Sequence, residues 1–188
     1  MKLILISGKQ GSGKTTLAKS LQLYLGKDEC RIMSFASPLR ELVKRLKDEA
    51  VDIGIVEDAD EIESRPLMQY LGTDWARAID YDVWVKITKK RMSVLSDATK
   101  YVVIDDMRFK NEFEAFPDAF KIRLECDEKI RIDRAKYWGD PSHKSECDLD
   151  YFAQSSSFDL NIETDGDKDI VSSCALYKFF IWEKLANR

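Results

Sequence analysis

A glycine-rich turn set between an apolar run and a leucine-striped segment constrains this chain more than any other feature. Leu3-Ile4-Leu5-Ile6 reads as a short buried strand, and Leu17, Leu21 and Leu25 recur at helical spacing further on. Between them stands Gly8-Lys9-Gln10-Gly11-Ser12-Gly13-Lys14-Thr15-Thr16, a G-x-x-x-x-G-K-T sequence. In such a turn the backbone N–H groups converge on a phosphate, and the dipole of the following helix favours its negative charge. Gly11, Ser12, Gly13, Lys14, Thr15 and Thr16 are therefore the candidate phosphate-binding residues. Lys14 is placed to reach the β- and γ-phosphates as a point charge, and the Thr15 hydroxyl is suited to Mg²⁺. The expectation is a nucleoside triphosphate site.

The rest of the chain alternates strand and helix. Arg31–Phe35 reads as a second strand, followed by a helix with Ser37 as N-cap and Pro38 in its first turn. That helix runs toward an acidic stretch, Glu57 to Glu63, read as a solvated loop or helix start. Arg65–Gly72 predicts a helix closed by a glycine C-cap, Thr73–Arg77 a connector, and Asp82 the cap of a longer helix. The latter carries Val83, Trp84, Ile87, Val94 and Leu95 as candidate buried positions. Tyr101-Val102-Val103-Ile104-Asp105-Asp106 has the near-continuous apolar character of a strand covered on both faces. Phe120–Cys126 and Asp159–Ile162 read as further strands, with Asp127 capping a helix between them. A final helix with Ile170, Cys174, Tyr177, Ile181 and Leu185 at helical spacing predicts a buried stripe. The pattern predicts an α/β fold, a parallel sheet of five strands with helices on both faces. A single domain is expected, with its core at about 1–36 and 98–188, a helical insertion at about 37–97 and a short polar loop segment at about 135–150.

Composition narrows the function. The 188 residues carry a formal net charge of −4 with the signs interleaved, so no global basic field of the kind that attracts nucleic acid is present. Four cysteines without a Cys-x-x-Cys pair argue for reduced thiols rather than a disulfide framework or a zinc site, and His143 with Cys147 lacks a second ligand pair. No apolar run approaches the ~20 residues of a membrane span, and no signal peptide precedes the first strand. The expectation is a soluble, cytoplasmic protein. Leu160-Asn161-Ile162-Glu163 stands where a guanine-specifying Asn-Lys-x-Asp would be needed, which argues against a GTPase switch.

Phosphoryl transfer between two anions needs cations around donor, acceptor and the charge developing between them, with water kept out. Arg40 and Arg65 lie in the insertion, Arg108 just past the acidic strand end, and Arg131 and Arg134 before the polar segment. Asp105 or Asp106, at the carboxyl end of a central strand, is the candidate acid for Mg²⁺ or its water. Trp75, Tyr81 and Trp84 are candidate partners for an acceptor base, with Trp75 carried forward. Two alternatives remain open: a kinase for another small acceptor, such as a nucleoside or coenzyme precursor, and a non-catalytic nucleotide-binding interaction protein.

Four blocks add a resemblance. Ser37-Pro38-Leu39-Arg40, Arg65 through Asp74, Asp106-Met107-Arg108-Phe109-Lys110-Asn111-Glu112 and His143-Lys144-Ser145-Glu146 together resemble the bacteriophage deoxynucleoside monophosphate kinases, over the span from the first strand to about Asp150. The resemblance implies the three-layer P-loop NTPase fold of nucleoside monophosphate kinases, with an acceptor-binding insertion and a short lid. It implies ATP- and Mg²⁺-dependent transfer of the γ-phosphoryl group to a deoxynucleoside 5′-monophosphate (dNMP), in the host cytoplasm if phage-encoded. Arg40, Arg65, Gln69 and Arg108 would lie near the acceptor, Lys14 and Arg108 would act in transfer, Arg131 and Arg134 would belong to the lid and reach the phosphates during transfer, and a homodimer is compatible with the chain. Lys9-Gln10 departs from the proline-containing loop of adenylate kinases.

Overall fold

The computed structural model describes residues 1–58, 64–135, 138–154, 157–166 and 168–186. Most of the acidic Glu57–Glu63 stretch therefore falls outside the described residues, as do the side chains of Arg65, Ile170 and Leu185.

Strand β1 (Lys2–Gly8) lies at the centre of a five-stranded, wholly parallel sheet. Its neighbours are β3 (Tyr101–Met107) and β4 (Phe120–Glu125), with β2 (Cys30–Met33) and β5 (Leu160–Glu163) at the edges, in the order β2-β3-β1-β4-β5. Parallel neighbours require crossovers, and helices supply them on both faces. Alternation along β1 divides the core. Ile4 and Ile6 pack with Leu17 and Leu21 of α1 (Lys14–Leu25), whereas Leu5 joins Val102, Ile104 and Phe35 on the opposite face. All three β1 side chains are fully buried, and burying each contributes about 1.5–3 kcal/mol.

Between β2 and β3 the chain forms α2 (Ser37–Asp52), α3 (Ser64–Gln69), a π-helical turn (Tyr70–Trp75), α4 (Ala76–Ile79) and α5 (Val83–Met92). After β3 come α6 (Lys110–Glu114), then past β4 α7 (Glu128–Arg134), α8 (Lys144–Cys147) and α9 (Asp150–Gln154), and after β5 α10 (Lys168–Ala186). The Asp127 side chain accepts from the Lys129 N–H, the expected cap of α7.

Several local expectations are corrected. Gly72 does not close a helix: the chain stays helical through Trp75 and Arg77, and a Cβ at Gly72 would stand 2.6 Å from Leu39 Cδ2, so the residue serves a close approach to α2. Ser37 is the first residue of α2, with Ala36 as N-cap, and its hydroxyl donates to the Ser34 carbonyl. In α10 the buried stripe is Val171, Ala175 and Phe179, one position away from the predicted one, and Tyr177 is 67% exposed. The helix is apolar on more than one side, so periodicity alone does not select the face. Val94 is exposed, lying beyond the end of α5.

Candidate active site

The phosphate loop depends on glycine where backbones meet. Gly11 has φ +78°, and a Cβ there would lie 2.5 Å from the Arg131 carbonyl oxygen, so α7 packs directly on the loop. Gly13, at φ +88° and ψ 13°, is the left-handed N-cap from which α1 springs. Lys14 is 9% exposed, and its Nζ donates to the Gly8 and Lys9 carbonyls, each at 2.7 Å. Burial drives its pKa down to about 7, Arg108 adds to the fall, and Glu146, Asp106 and Asp105 pull the other way.

β3 gives the two acids different surroundings. The β1–β3 register runs Leu5 opposite Ile104 and then Ser7 opposite Met107, an extra residue in β3 at the aspartate pair. A bulge of this kind re-aims side chains beside a functional site. Asp105, 8% exposed, accepts from the Thr15 hydroxyl at 2.8 Å and from the Ser34 hydroxyl at 2.7 Å. Asp106 turns instead to the chain entering α2, accepting from the Phe35 and Ala36 N–H groups at 2.7 and 3.1 Å and from Arg40 Nη2 at 3.4 Å. Burial raises the Asp106 carboxyl above its ordinary value, against the pull of Arg40. The two acids thus have different partners: Asp105 meets the phosphate loop, and Asp106 organises the start of the insertion.

The arginines separate in the same way. Arg108 comes to the mouth of the loop, where its Nη1 donates to Glu146 Oε1 at 2.5 Å and to the Ser145 carbonyl at 3.0 Å. Arg131 is buried beside the loop, donating to the Cys126 carbonyl at 3.1 Å and the Gln10 carbonyl at 3.4 Å, 5.3 Å from the Trp138 ring. Arg134 is exposed and donates to the Thr164 carbonyl at 3.0 Å, while Thr164 Oγ1 in turn donates to the Ser12 carbonyl at 3.0 Å. Both arginines therefore lie on α7, tied to main chain on the flank of the loop, and not in a lid as the resemblance implies. Arg40 is half exposed against Asp106. Gln69 Nε2 is buried without a hydrogen-bond partner among the described residues, and Trp75 is 52% exposed. Trp84 is engaged otherwise, its indole N–H donating to the Gly72 carbonyl at 2.7 Å.

Three residues of the site had no candidate role in the sequence. Buried Arg77 of α4 bonds Glu112, donates to Asn111 Oδ1 at 3.0 Å and lies 3.7 Å over the Phe109 ring. Glu112 Oε2 accepts from the Arg108 and Phe109 N–H groups at 2.7 and 3.1 Å, and burial pushes its carboxyl up to about 7 despite Arg77. Glu146, 7% exposed, accepts from the Gln10 N–H at 2.9 Å through the oxygen that does not meet Arg108. Glu112 and Glu146 stood in the blocks that carried the family resemblance, so that signal was present; Arg77 was marked by none.

A hydroxyl and one carboxylate suit a P-loop Mg²⁺, which keeps several waters and takes the rest of its shell from nucleotide phosphates. No cluster of three or more His, Cys, Asp or Glu side chains able to hold a metal by themselves occurs among the described residues. No helix among the described residues is long and apolar enough to cross a membrane.

A central phosphate loop, the 2-3-1-4-5 parallel order and helices on both faces make this chain a P-loop kinase in architecture. The family described as "AAA domain" (AAA_18) matches residues 4–157, and the chain belongs to it. Over 177 residues it is 27% identical to a phosphomevalonate kinase of Drosophila melanogaster, covering 90% of this chain and 91% of that protein. Among solved structures, TT1252 from Thermus thermophilus superposes with a TM-score of 0.56 at 15% identity, over 94% of this chain and 95% of that one. Thymidylate kinase from Candida albicans gives 0.55 at 14% identity, over 97% and 92%. At such identities the structural likeness speaks for the fold.

Proposed function

We propose that the chain transfers the γ-phosphoryl group of ATP to the phosphate of a dNMP, giving the diphosphate. The observation that carries this reading is Arg108, whose charge acts on Lys14 and which is joined through Glu146 to the Gln10 N–H of the phosphate loop. In this reading the N–H groups of residues 11–16 cradle the ATP phosphates, and Lys14 leaves the Gly8 and Lys9 carbonyls for the β- and γ-phosphates. Arg108 draws the acceptor phosphate in line, a positioning effect that supplies much of the barrier reduction in phosphoryl transfer. Arg40, Gln69 and Trp75 of the insertion form the acceptor side in this reading, and the family resemblance adds Arg65. Arg131 and Arg134 act from α7 on the donor side. Thr15 and Asp105 would hold Mg²⁺, which when bound would supply positive charge against the charge developing on the transferred phosphoryl group.

A second reading is favoured by the Drosophila relative, whose name indicates phosphomevalonate as acceptor. It shares a phosphate-bearing acceptor, so the same cations serve it, and the exposed Trp75 would then have no base to cover.

A coupled ADP-release assay with ATP, Mg²⁺ and each dNMP, and separately with phosphomevalonate, decides between them. Stimulation by one or more dNMPs is expected; stimulation by phosphomevalonate alone moves the assignment to the second reading, and an unstimulated rate with every acceptor overturns both. Arg108→Ala should raise the KM of the acceptor or lower kcat by about 100-fold, with the KM of ATP changed by less than about threefold. Unaltered acceptor kinetics in that variant would contradict the placement of the acceptor phosphate.

A further inference from the structure

The Arg108 guanidinium is held from two directions. From below, Glu112 fixes its backbone N–H; from above, a strap of residues 139–150 returns over the phosphate loop and presents Glu146. The strap is fastened at both ends. The Gly139 N–H donates to Gln10 Oε1 at 3.3 Å, and Asp150 pairs with Lys9 at 3.1 Å and with buried Arg123 at 3.0 Å. Within it α8 starts at His143, whose Nδ1 accepts from the Ser145 N–H at 3.2 Å, so the helix aims Glu146 inward.

We infer that Glu146 is a positioning residue for phosphoryl transfer: its carboxylate yokes the Arg108 guanidinium to the Gln10 N–H of the phosphate loop. One oxygen takes Arg108 Nη1 at 2.5 Å and the other the Gln10 N–H at 2.9 Å, while the Glu146 side chain is only 3% exposed. A carboxylate so enclosed is favoured only when its lone pairs meet donors. The anion has a second effect. Arg108 lowers the Lys14 pKa and Glu146 raises it, so Glu146 offsets part of the penalty that Arg108 places on the ammonium form. Burial pulls the Glu146 carboxyl upward, but Arg108, the Gln10 N–H and Lys14 outweigh it and hold the group below its ordinary value, ionised at neutral pH. Because the yoke runs to the loop that holds ATP, the spacing between donor phosphates and Arg108 is set by Glu146 rather than by the mobility of a long side chain.

This inference rests on the reading of Arg108 as the acceptor-phosphate group, and its test has one arm that does not need the acceptor. Glu146→Gln keeps an oxygen for the Gln10 N–H and removes the charge. With whichever acceptor stimulates ADP release, kcat should fall about 30- to 100-fold, while the KM of ATP stays within about threefold. In an Arg108→Ala background the same change should cost several-fold less, since the part of its effect carried by Arg108 is already gone. Asp148→Ala removes a strap anchor, the acceptor of the Lys110 N–H, without touching Arg108; it should lower Tm and leave kcat within about twofold. The independent arm is NMR of the arginine side chains. Rotation about the Arg108 Cζ–Nη bonds should be slow in the wild type and at least about tenfold faster in Glu146→Gln. Free rotation in the wild type, equal losses of kcat with and without Arg108, or an Asp148→Ala defect as large as that of Glu146→Gln would each overturn the inference. A failure of every acceptor to stimulate ADP release would instead overturn the proposed function, and the NMR arm would still decide on the yoke.

Discussion

The phosphate loop and the helical insertion meet at the end of β3, and they are built on opposite plans. The loop is made of main chain: the Gly8 and Lys9 carbonyls hold Lys14, the Gln10 carbonyl and N–H meet Arg131 and Glu146, and the Ser12 carbonyl meets Thr164. The insertion offers side chains, several of them open to solvent, with Arg40 resting on Asp106 and Trp75 half exposed. A triphosphate is the same anion in every kinase, so its cradle is fixed in advance. An acceptor differs from one kinase to another, and in the proposed reading its side is built from such side chains. Donor-side changes should therefore abolish the reaction, and insertion changes should act through acceptor kinetics or through folding.

The largest effect expected is that of Lys14→Ala. It removes the point charge from the donor phosphates, and kcat/KM should fall by about 1,000-fold or more. Because Lys14 is buried at an energetic cost, the variant should not lose thermal stability. Calorimetric Tm measured beside the kinetics checks both; a variant that retains a tenth of wild-type activity would show that the loop is not the donor site.

Arg77 tests where the two plans join. It lies on α4 of the insertion, yet Glu112, its buried partner, holds the backbone of Arg108. Arg77→Met leaves the Glu112 carboxylate enclosed without its cation, which should destabilise the fold by about 3–5 kcal/mol in urea unfolding. Arg77→Met with Glu112→Leu should recover a large part of that stability and none of the Arg108 positioning. If the single variant lost less than about 1 kcal/mol, the insertion would be held by its other contacts, and the pair would not be the junction.

The same division governs what was legible in the sequence. The phosphate loop, the five parallel strands and the capped start of α7 depend on local patterns, and each can be seen in a stretch of a dozen residues. Asp105 and Asp106 were equivalent by sequence because a strand ending in two acids does not announce a bulge; the extra residue in β3 is visible only in its register with β1. Gly72 read as a helix stop because glycine serves both at C-caps and at close approaches, and only the Leu39 contact distinguishes them. The Arg77–Glu112 pair spans 35 positions, and no periodicity links its members. β4 shows the same limit, since Lys121 and Arg123 alternate with Phe120, Ile122 and Leu124 yet are themselves buried. Arg123 is enclosed because it meets Asp150 and Ser7, partners 27 and 116 positions away.

The smallest effect expected is a pH dependence that belongs to the donor side alone. In the empty site burial, with Arg108, brings the Lys14 pKa down to about 7, so the amine is largely neutral at pH 8. Triphosphate oxygens favour the ammonium, so binding raises that pKa and takes up a proton wherever the empty site is neutral, that is, above about 7. ATP affinity should therefore weaken as pH rises from 7 toward 9, by at most about tenfold per unit. The groups that act on Lys14 are Arg108, which lowers its pKa, and Glu146, Asp106 and Asp105, which raise it. Stability moves the other way: the unfolded chain keeps the lysine protonated, so between about 7 and 10.5 the folded state gains as pH rises. Titration calorimetry of ATP at pH 8, in buffers of different ionisation enthalpy, should register an uptake close to one proton, and at pH 6 little from this group. An uptake near zero at pH 8 would mean that Lys14 is already charged before ATP binds and that the nearby carboxylates compensate its burial. Acceptor binding, which does not engage Lys14 in the proposed reading, should show no such slope.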